Sequence, residues 1–203
     1  MKKTILILLS CLSFTAFGQK FGISISGGTG KVYIFESNDK SVNVNYSVPM
    51  SLMTEMKFTP NGKVWGIKLR LHHLESSVTG ENWENETPLN GYVNSLSTSI
   101  LLENEIVKNK FSYGFNFGVG LTKETIQPQQ YESNKSVSNY ANLYLGGHFS
   151  YRLSGDFDLQ VQPIFFWQDP FKTIGVLNGD RKANFAGEDL STLINFGVRY
   201  RLN

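Results

Sequence analysis

The chain has 203 residues, of which 40% are hydrophobic, 13% aromatic and 18% charged, with 19 glycines, 6 prolines and 1 cysteine. So mixed a composition excludes collagen-like and disordered classes, and one cysteine excludes a disulfide scaffold. A formal charge of +2 gives nucleic-acid binding no electrostatic footing, whereas many aromatics and glycines predict many strands and turns.

Residues 1–18 read as an export signal rather than as part of the fold. Lys2-Lys3 supply the positive start, Ile5–Leu9 a short apolar core, and Ala16-Phe17-Gly18 the small residues before cleavage at Gln19. The run is too short for a membrane-spanning helix, which needs about 20 apolar residues. Cleavage removes Lys2 and Lys3 and leaves 17 basic against 17 acidic residues. Leu8-Leu9-Ser10-Cys11 offers an alternative as a lipidation site, but few apolar residues precede it and a well-formed small-residue site follows. With Cys11 discarded, the exported domain, 19–203, holds no cysteine.

From Gln19 onward the dominant period is two, the signature of half-buried strands. Weak alternation marks Phe21–Ser26 and Val48–Phe58. Trp65–His72 sets Trp65, Ile67, Leu69 and Leu71 against Gly66, Lys68, Arg70 and His72. Tyr92–Glu105 follows, and then the clearest case, Phe111–Leu121, with an apolar residue at every odd position and Ser, Gly or Asn at every even one. Ala141–Leu153, Phe157–Gln168 and Asn195–Leu202 complete eight strands. Pro163 lies in the seventh, where its missing N–H predicts a bulge, and Ile164 and Phe166 spoil that strand's polar face.

The connections sort by length. Pro60–Lys63, Val107–Lys110 and Ser154–Asp156 are tight turns, whereas 27–47, 75–91, 122–139 and 169–189 read as long polar loops. Gly27-Gly28-Thr29-Gly30 reads as a turn leaving the first strand. Strict alternation of long and short connections is the plan of an outer-membrane barrel with short periplasmic turns. Opposite the apolar face lie Glu55, Lys57, Lys68, Arg70, Glu103, Glu105, Arg152, Asp158, Arg199 and Arg201. Aromatics at strand ends (Phe21, Phe58, Trp65, Tyr92, Tyr151, Trp167, Tyr200) suit the headgroup level of a bilayer.

On these features the chain resembles the small OmpA/OmpX-type eight-stranded outer-membrane proteins. The most specific piece is the C-terminal run Asn195-Phe196-Gly197-Val198-Arg199-Tyr200-Arg201-Leu202. It is similar to the assembly signal of such barrels, with Asn195, Gly197, Tyr200 and Leu202 at the signal positions, although Asn203 ends the chain where an aromatic is usual. The resemblance implies an all-β, antiparallel up-and-down transmembrane barrel, a single monomeric domain in a Gram-negative outer membrane. Its expected partners are outer-membrane lipid and the barrel-assembly machinery, with a surface partner for the loops left open.

Candidate chemistry is sparse. His148-Phe149-Ser150 puts a base and a hydroxyl on one strand face, as in some lipid A deacylases. The pair belongs by alternation to the lumen, near the wrong end for outer-leaflet lipid, and a lumen hydrogen-bonding role fits it better. His72-His73 point to opposite faces and cannot chelate together. Glu75, Glu81, Glu84 and Glu86 around Trp83 match no calcium-loop spacing and read as a solvated acidic loop. No catalytic residue, metal or cofactor is therefore expected. Six inward basic residues facing four acidic ones must pair, because an unpaired buried charge is expensive. Eight strands enclose only enough space for side chains, so the expected lumen is plugged. A non-enzymatic structural or surface-binding role through the loops follows. The alternatives are a lipid-modifying enzyme, a narrow channel and a soluble lipocalin-like carrier.

Overall fold

The computed structural model describes residues 20–34, 42–82, 87–128, 136–168 and 189–202. Within them the strands are β1 (Lys20–Ile34), β2 (Val42–Tyr46), β3 (Met50–Thr59), β4 (Trp65–Asn82), β5 (Thr87–Lys108), β6 (Phe111–Pro128), β7 (Ser136–Ser154), β8 (Phe157–Gln168) and β9 (Asp189–Leu202). Each pairs antiparallel with its neighbours, and β1 closes against β9, so the sheet has no free edge through its middle. β2 and β3 are one stave interrupted at Ser47-Val48-Pro49, both pairing with β4, which makes eight staves in all. The chain is an all-β, closed antiparallel barrel.

Register fixes its shape. One circuit from Ser24 through Glu55, Arg70, Ser99, Gly120, Asn142, Gln168 and Asp189 returns to β1 at Ile34, ten residues further along. Eight staves with that stagger tilt by roughly 40° and leave an interior that side chains fill. The alternation read in the sequence sorts the two faces. Ile23, Ile67, Leu69, Ile100, Phe115, Phe117, Leu145, Phe165 and Phe196 are all exposed on the outside, while Glu55, Lys68, Arg70, Glu103 and Asp158 are buried inside. The outward run Phe111–Leu121, at about 3.3 Å per residue and this tilt, gives an apolar belt about 25 Å tall. Such an exterior is solvated by hydrocarbon, with Trp65, Phe111, Tyr151, Phe157 and Tyr200 ringing its lower edge.

The short connections lie where expected. Lys63 N–H donates to the Pro60 carbonyl at 3.1 Å, and Gly62, Asn109 and Gly155 take the positive φ that these turns require.

Three expectations need correction. Three of the four long connections are largely strand where they are described: β1 runs to Ile34, β4 to Asn82, β5 begins at Thr87, β6 runs to Pro128 and β7 begins at Ser136, while the fourth, 169–189, lies outside the described residues up to Asp189. A polar strand beyond the belt has water on its outer face, so it loses the apolar alternation while keeping its backbone ladder. The supposed turn Gly27–Gly30 is also strand, and its glycines serve close approach instead, for a Cβ on Gly30 would lie 1.8 Å from the Thr192 carbonyl oxygen. Finally, Pro163 causes no bulge. The β8–β9 register runs unbroken through it, pairing lapses only opposite it at Gly147-His148, and the irregularity sits at Arg152/Ser154 beside the tight turn. The expected signal segment 1–18 and Trp83, Glu84 and Glu86 lie outside the described residues.

Candidate functional site

The inward face of the turn-end half carries the ten charged residues singled out above, and they form one connected chain. At the mouth, Asp158 takes the Nε–H groups of Arg199 at 2.9 Å and Arg201 at 2.7 Å, and Arg201 grips its second oxygen as well. Arg199 reaches on to Glu105 at 2.7 Å, and Glu105 holds Lys57. Lys57 contacts Glu103 at 2.6 Å, Glu103 holds Lys68, and Lys68 lies 3.3 Å from Glu55. Arg70 ends the chain, donating to Glu55 through Nε at 2.8 Å. Arg152 is only loosely attached, 4.0 Å from Asp158. Anion and cation thus alternate from the mouth to mid-barrel, the arrangement that buried charges need if they are to remain ionised.

Amides and hydroxyls complete Glu55, whereas the Glu103 oxygens have ion pairs but no hydrogen-bond partner. Glu55 accepts from Gln162 at 2.8 Å and from Ser24 at 3.0 Å. Arg70 Nη2 also reaches Gln162 at 3.2 Å and Asn116 at 3.5 Å, whereas its Nη1 has no hydrogen-bond partner.

Above the charges lies a layer that the sequence reading missed. Met53, Leu74, Leu101, Tyr144, Ile164, Phe166 and Leu193 pack as one buried apolar cluster across the lumen. Ile164 and Phe166 are therefore no misfit in β8 but part of a hydrophobic plug. The signal was present as apolar residues at inward parity on several strands. Tyr144 stacks on Phe166 with ring centroids 4.5 Å apart, and Arg70 lies 4.9 Å over the Tyr144 ring. His72, inward as parity requires, joins the plug by bonds to Ser51 at 2.9 Å and to the Tyr144 hydroxyl at 2.7 Å. His73 points outward, 3.9 Å from Glu75. Beyond the plug a second polar layer follows, with Ser97 against Thr122 at 2.7 Å and Tyr140 donating to Glu124 at 2.6 Å.

The one catalytic-looking pair is not assembled. His148 is fully buried in the lumen, 3.8 Å from Glu103 and from Glu105, and neither ring nitrogen is within hydrogen-bond distance of a partner. The hydrogen-bonding role expected for it is thus not made. The Ser150 hydroxyl instead accepts from Gln160 at 3.3 Å.

Of the C-terminal positions, Tyr200 and Leu202 face outward at the turn-end rim, while Asn195 is buried inside. Gly197 pairs with Ser26 across the β1–β9 seam, where a Cβ would lie 2.3 Å from the Ile25 carbonyl oxygen.

Ion pairs surmounted by an apolar plug oppose ion flow twice over, first by occupying the bore and then by removing water from it. In planar bilayers the purified barrel is expected to give no stable conductance steps. Steady porin-like current would show that the layers part in a membrane.

No family model and no curated protein matches the chain. Its fold does have solved likenesses. Neisserial surface protein A superposes with a TM-score of 0.57 at 13% identity, covering 89% of this chain and 96% of that one. A major outer membrane protein from Thermus thermophilus gives 0.54 at 12% identity, covering 91% and 100%. Ail, the attachment invasion locus protein of Yersinia pestis, in complex with the heparin analogue sucrose octasulfate, gives 0.52 at 13% identity, covering 91% and 99%. With its apolar belt, charged lumen and closed eight-stave sheet, the chain is a transmembrane β-barrel of the fold that these small outer-membrane proteins share.

Proposed function

We propose that the protein is a non-enzymatic barrel of a Gram-negative outer membrane, giving structural support and binding at the cell surface through its loop end. The observation that carries this reading is the length of the staves. On β4 the outward apolar residues stop at Leu71, yet the ladder with β5 continues through Glu75 to Asn82. β6 and β7 likewise pair beyond Leu121 as far as Ile126 and Ser136. Strands that outrun the belt hold polar surface rigidly above a bilayer, which a barrel serving only as a membrane anchor does not need. The fold likeness to Ail, whose structure was solved with a heparin analogue, agrees with a surface-binding role.

Export follows from residues 1–18, with cleavage before Gln19 placing the new end one residue ahead of β1. Both described chain ends, Lys20 and Leu202, lie at the turn end, the periplasmic side in this reading. Asn195, Gly197, Tyr200 and Leu202 serve as the signal read by the assembly machinery. β9 carries the last edge to be paired, so it is still open when a factor must recognise the chain.

The test is fractionation. The protein is expected in outer membranes, released by detergent but not by salt, and its folded form is expected to migrate differently on a gel before and after boiling. Recovery from the soluble periplasm would overturn the assignment and favour a lipocalin-like carrier.

A further inference from the structure

A cavity of about 300 Å³ opens at the turn end of the barrel, between the mouth and the first ion pairs. Its wall carries Lys20, Lys57, Arg152, Arg199 and Arg201, drawn from β1, β3, β7 and β9, against a single lining carboxylate, Glu105 from β5. Asp158, just behind the wall, is shared among three arginines. The imbalance is a property of the whole network, in which six cations face four carboxylates. Deep in the lumen the charges alternate, so the excess is concentrated at the mouth.

The loosest member of the network borders this cavity. The Arg152 Nε is shut off from solvent yet has no hydrogen-bond partner, and its nearest carboxylate oxygen is 4.0 Å away. Its side chain as a whole is 37% exposed, and that of Arg201 is 21% exposed. Two guanidinium groups therefore line the cavity within reach of a solute. A guanidinium presents planar, paired donors that match the oxygens of a phosphate or carboxylate. A cavity with surplus positive charge and low-dielectric walls concentrates anions.

We infer that this mouth is a binding site for a small multivalent oxyanion, bearing phosphoryl groups or clustered carboxylates, held by Arg152 and Arg201 with Lys20 and Lys57 beside it. It is a binding site rather than the entrance to a pore, because the ion-pair chain and the apolar cluster close the bore beyond it. The ligand enters and leaves by one opening. Bound there, it bridges β1, β7 and β9 and so spans the seam at which the barrel closes. The inference goes beyond the surface-binding reading and does not depend on it, because purified barrel tests it without an envelope.

The experiment is titration calorimetry on the folded barrel in an uncharged maltoside detergent at low chloride, with pyrophosphate in one arm and citrate in the other. Saturable one-to-one binding is expected in at least one arm, and the stronger arm tells phosphoryl from carboxylate ligands. Arg152→Gln with Arg201→Gln is expected to weaken that binding at least tenfold, whereas Lys108→Gln, on the outer face beside Tyr113, leaves it unchanged. Absence of saturable binding in both arms overturns the inference, as does equal affinity in the double variant. Should that variant lose its heat-dependent gel shift, Arg152→Gln alone is decisive, since its only carboxylate contact among the described residues is the 4.0 Å one. A loss of threefold or more supports the site, and unchanged affinity refutes it.

Discussion

Glu55→Gln is expected to destabilise the barrel by about 3–5 kcal/mol, the usual cost of leaving a buried charge without its partner. The change keeps the size of the side chain and removes only its charge. Lys68 retains Glu103, so it is not stranded. Arg70 is. Its one carboxylate among the described residues is Glu55, its Nη2 otherwise reaches only the neutral Gln162 and Asn116, its Nη1 has no hydrogen-bond partner, and it is fully buried. No rearrangement brings it water, because the apolar cluster and Tyr144 lie on one side and the ion-pair chain on the other. The measurement is urea unfolding of the barrel in lipid vesicles, followed by the loss of its compact gel form. Adding Arg70→Met should recover much of the loss, since a flexible apolar side chain beside Tyr144 needs no counter-charge. A double variant as unstable as the two single losses combined would mean that Glu55 and Arg70 act independently, contrary to the 2.8 Å bond between them.

Gly118→Val is expected to lower the amount of folded barrel more than any substitution in the surface loops. Gly118 faces inward on β6, opposite Leu101 on β5 and Tyr144 on β7. A Cβ there would lie 2.1 Å from the Ile100 carbonyl oxygen and 2.7 Å from the Leu101 Cα. Both atoms belong to the neighbouring strand's backbone, so no side-chain rotation relieves the contact and the ladder itself must move. Gly114 and Gly120 on the same face meet β5 about as closely, so β6 approaches its neighbour tightly along much of its length. Outer-membrane levels of Gly118→Val and of a double change between β4 and β5, Trp83→Ala with Glu84→Ala, should be compared at equal synthesis. Equal levels would show that β5 and β6 can separate locally at little cost.

These residues also mark the boundary between pattern and packing. Alternation along Phe111–Leu121 or Asn195–Leu202 is a local property, written by which side chains meet hydrocarbon and which meet the lumen, and it placed all eight staves. Tight-turn residues such as Gly62, Asn109 and Gly155 were equally legible, because positive φ is a demand that a single residue meets. Beyond the belt the same strands became invisible. Along Ser76–Thr79 only Val78 turns an apolar side chain inward, onto Val93, so the backbone ladder holds the strand without imposing a long hydrophobic period.

By itself, then, the sequence determined the solvent of each face, the order of the connections and the balance of charge, all of which follow from single residues and their nearest neighbours along the chain. Tertiary structure decided what depends on residues meeting across the bore. The stagger of ten residues stacks Leu101, Ile164 and Leu193 from three separate strands into one plug, which no strand displays alone. It also links Asp158 to Arg70 through six intervening charges and leaves Arg152 at the mouth with no ion pair closer than 4.0 Å among the described residues. Shear is a sum of registers around a closed ring, and no single segment carries it.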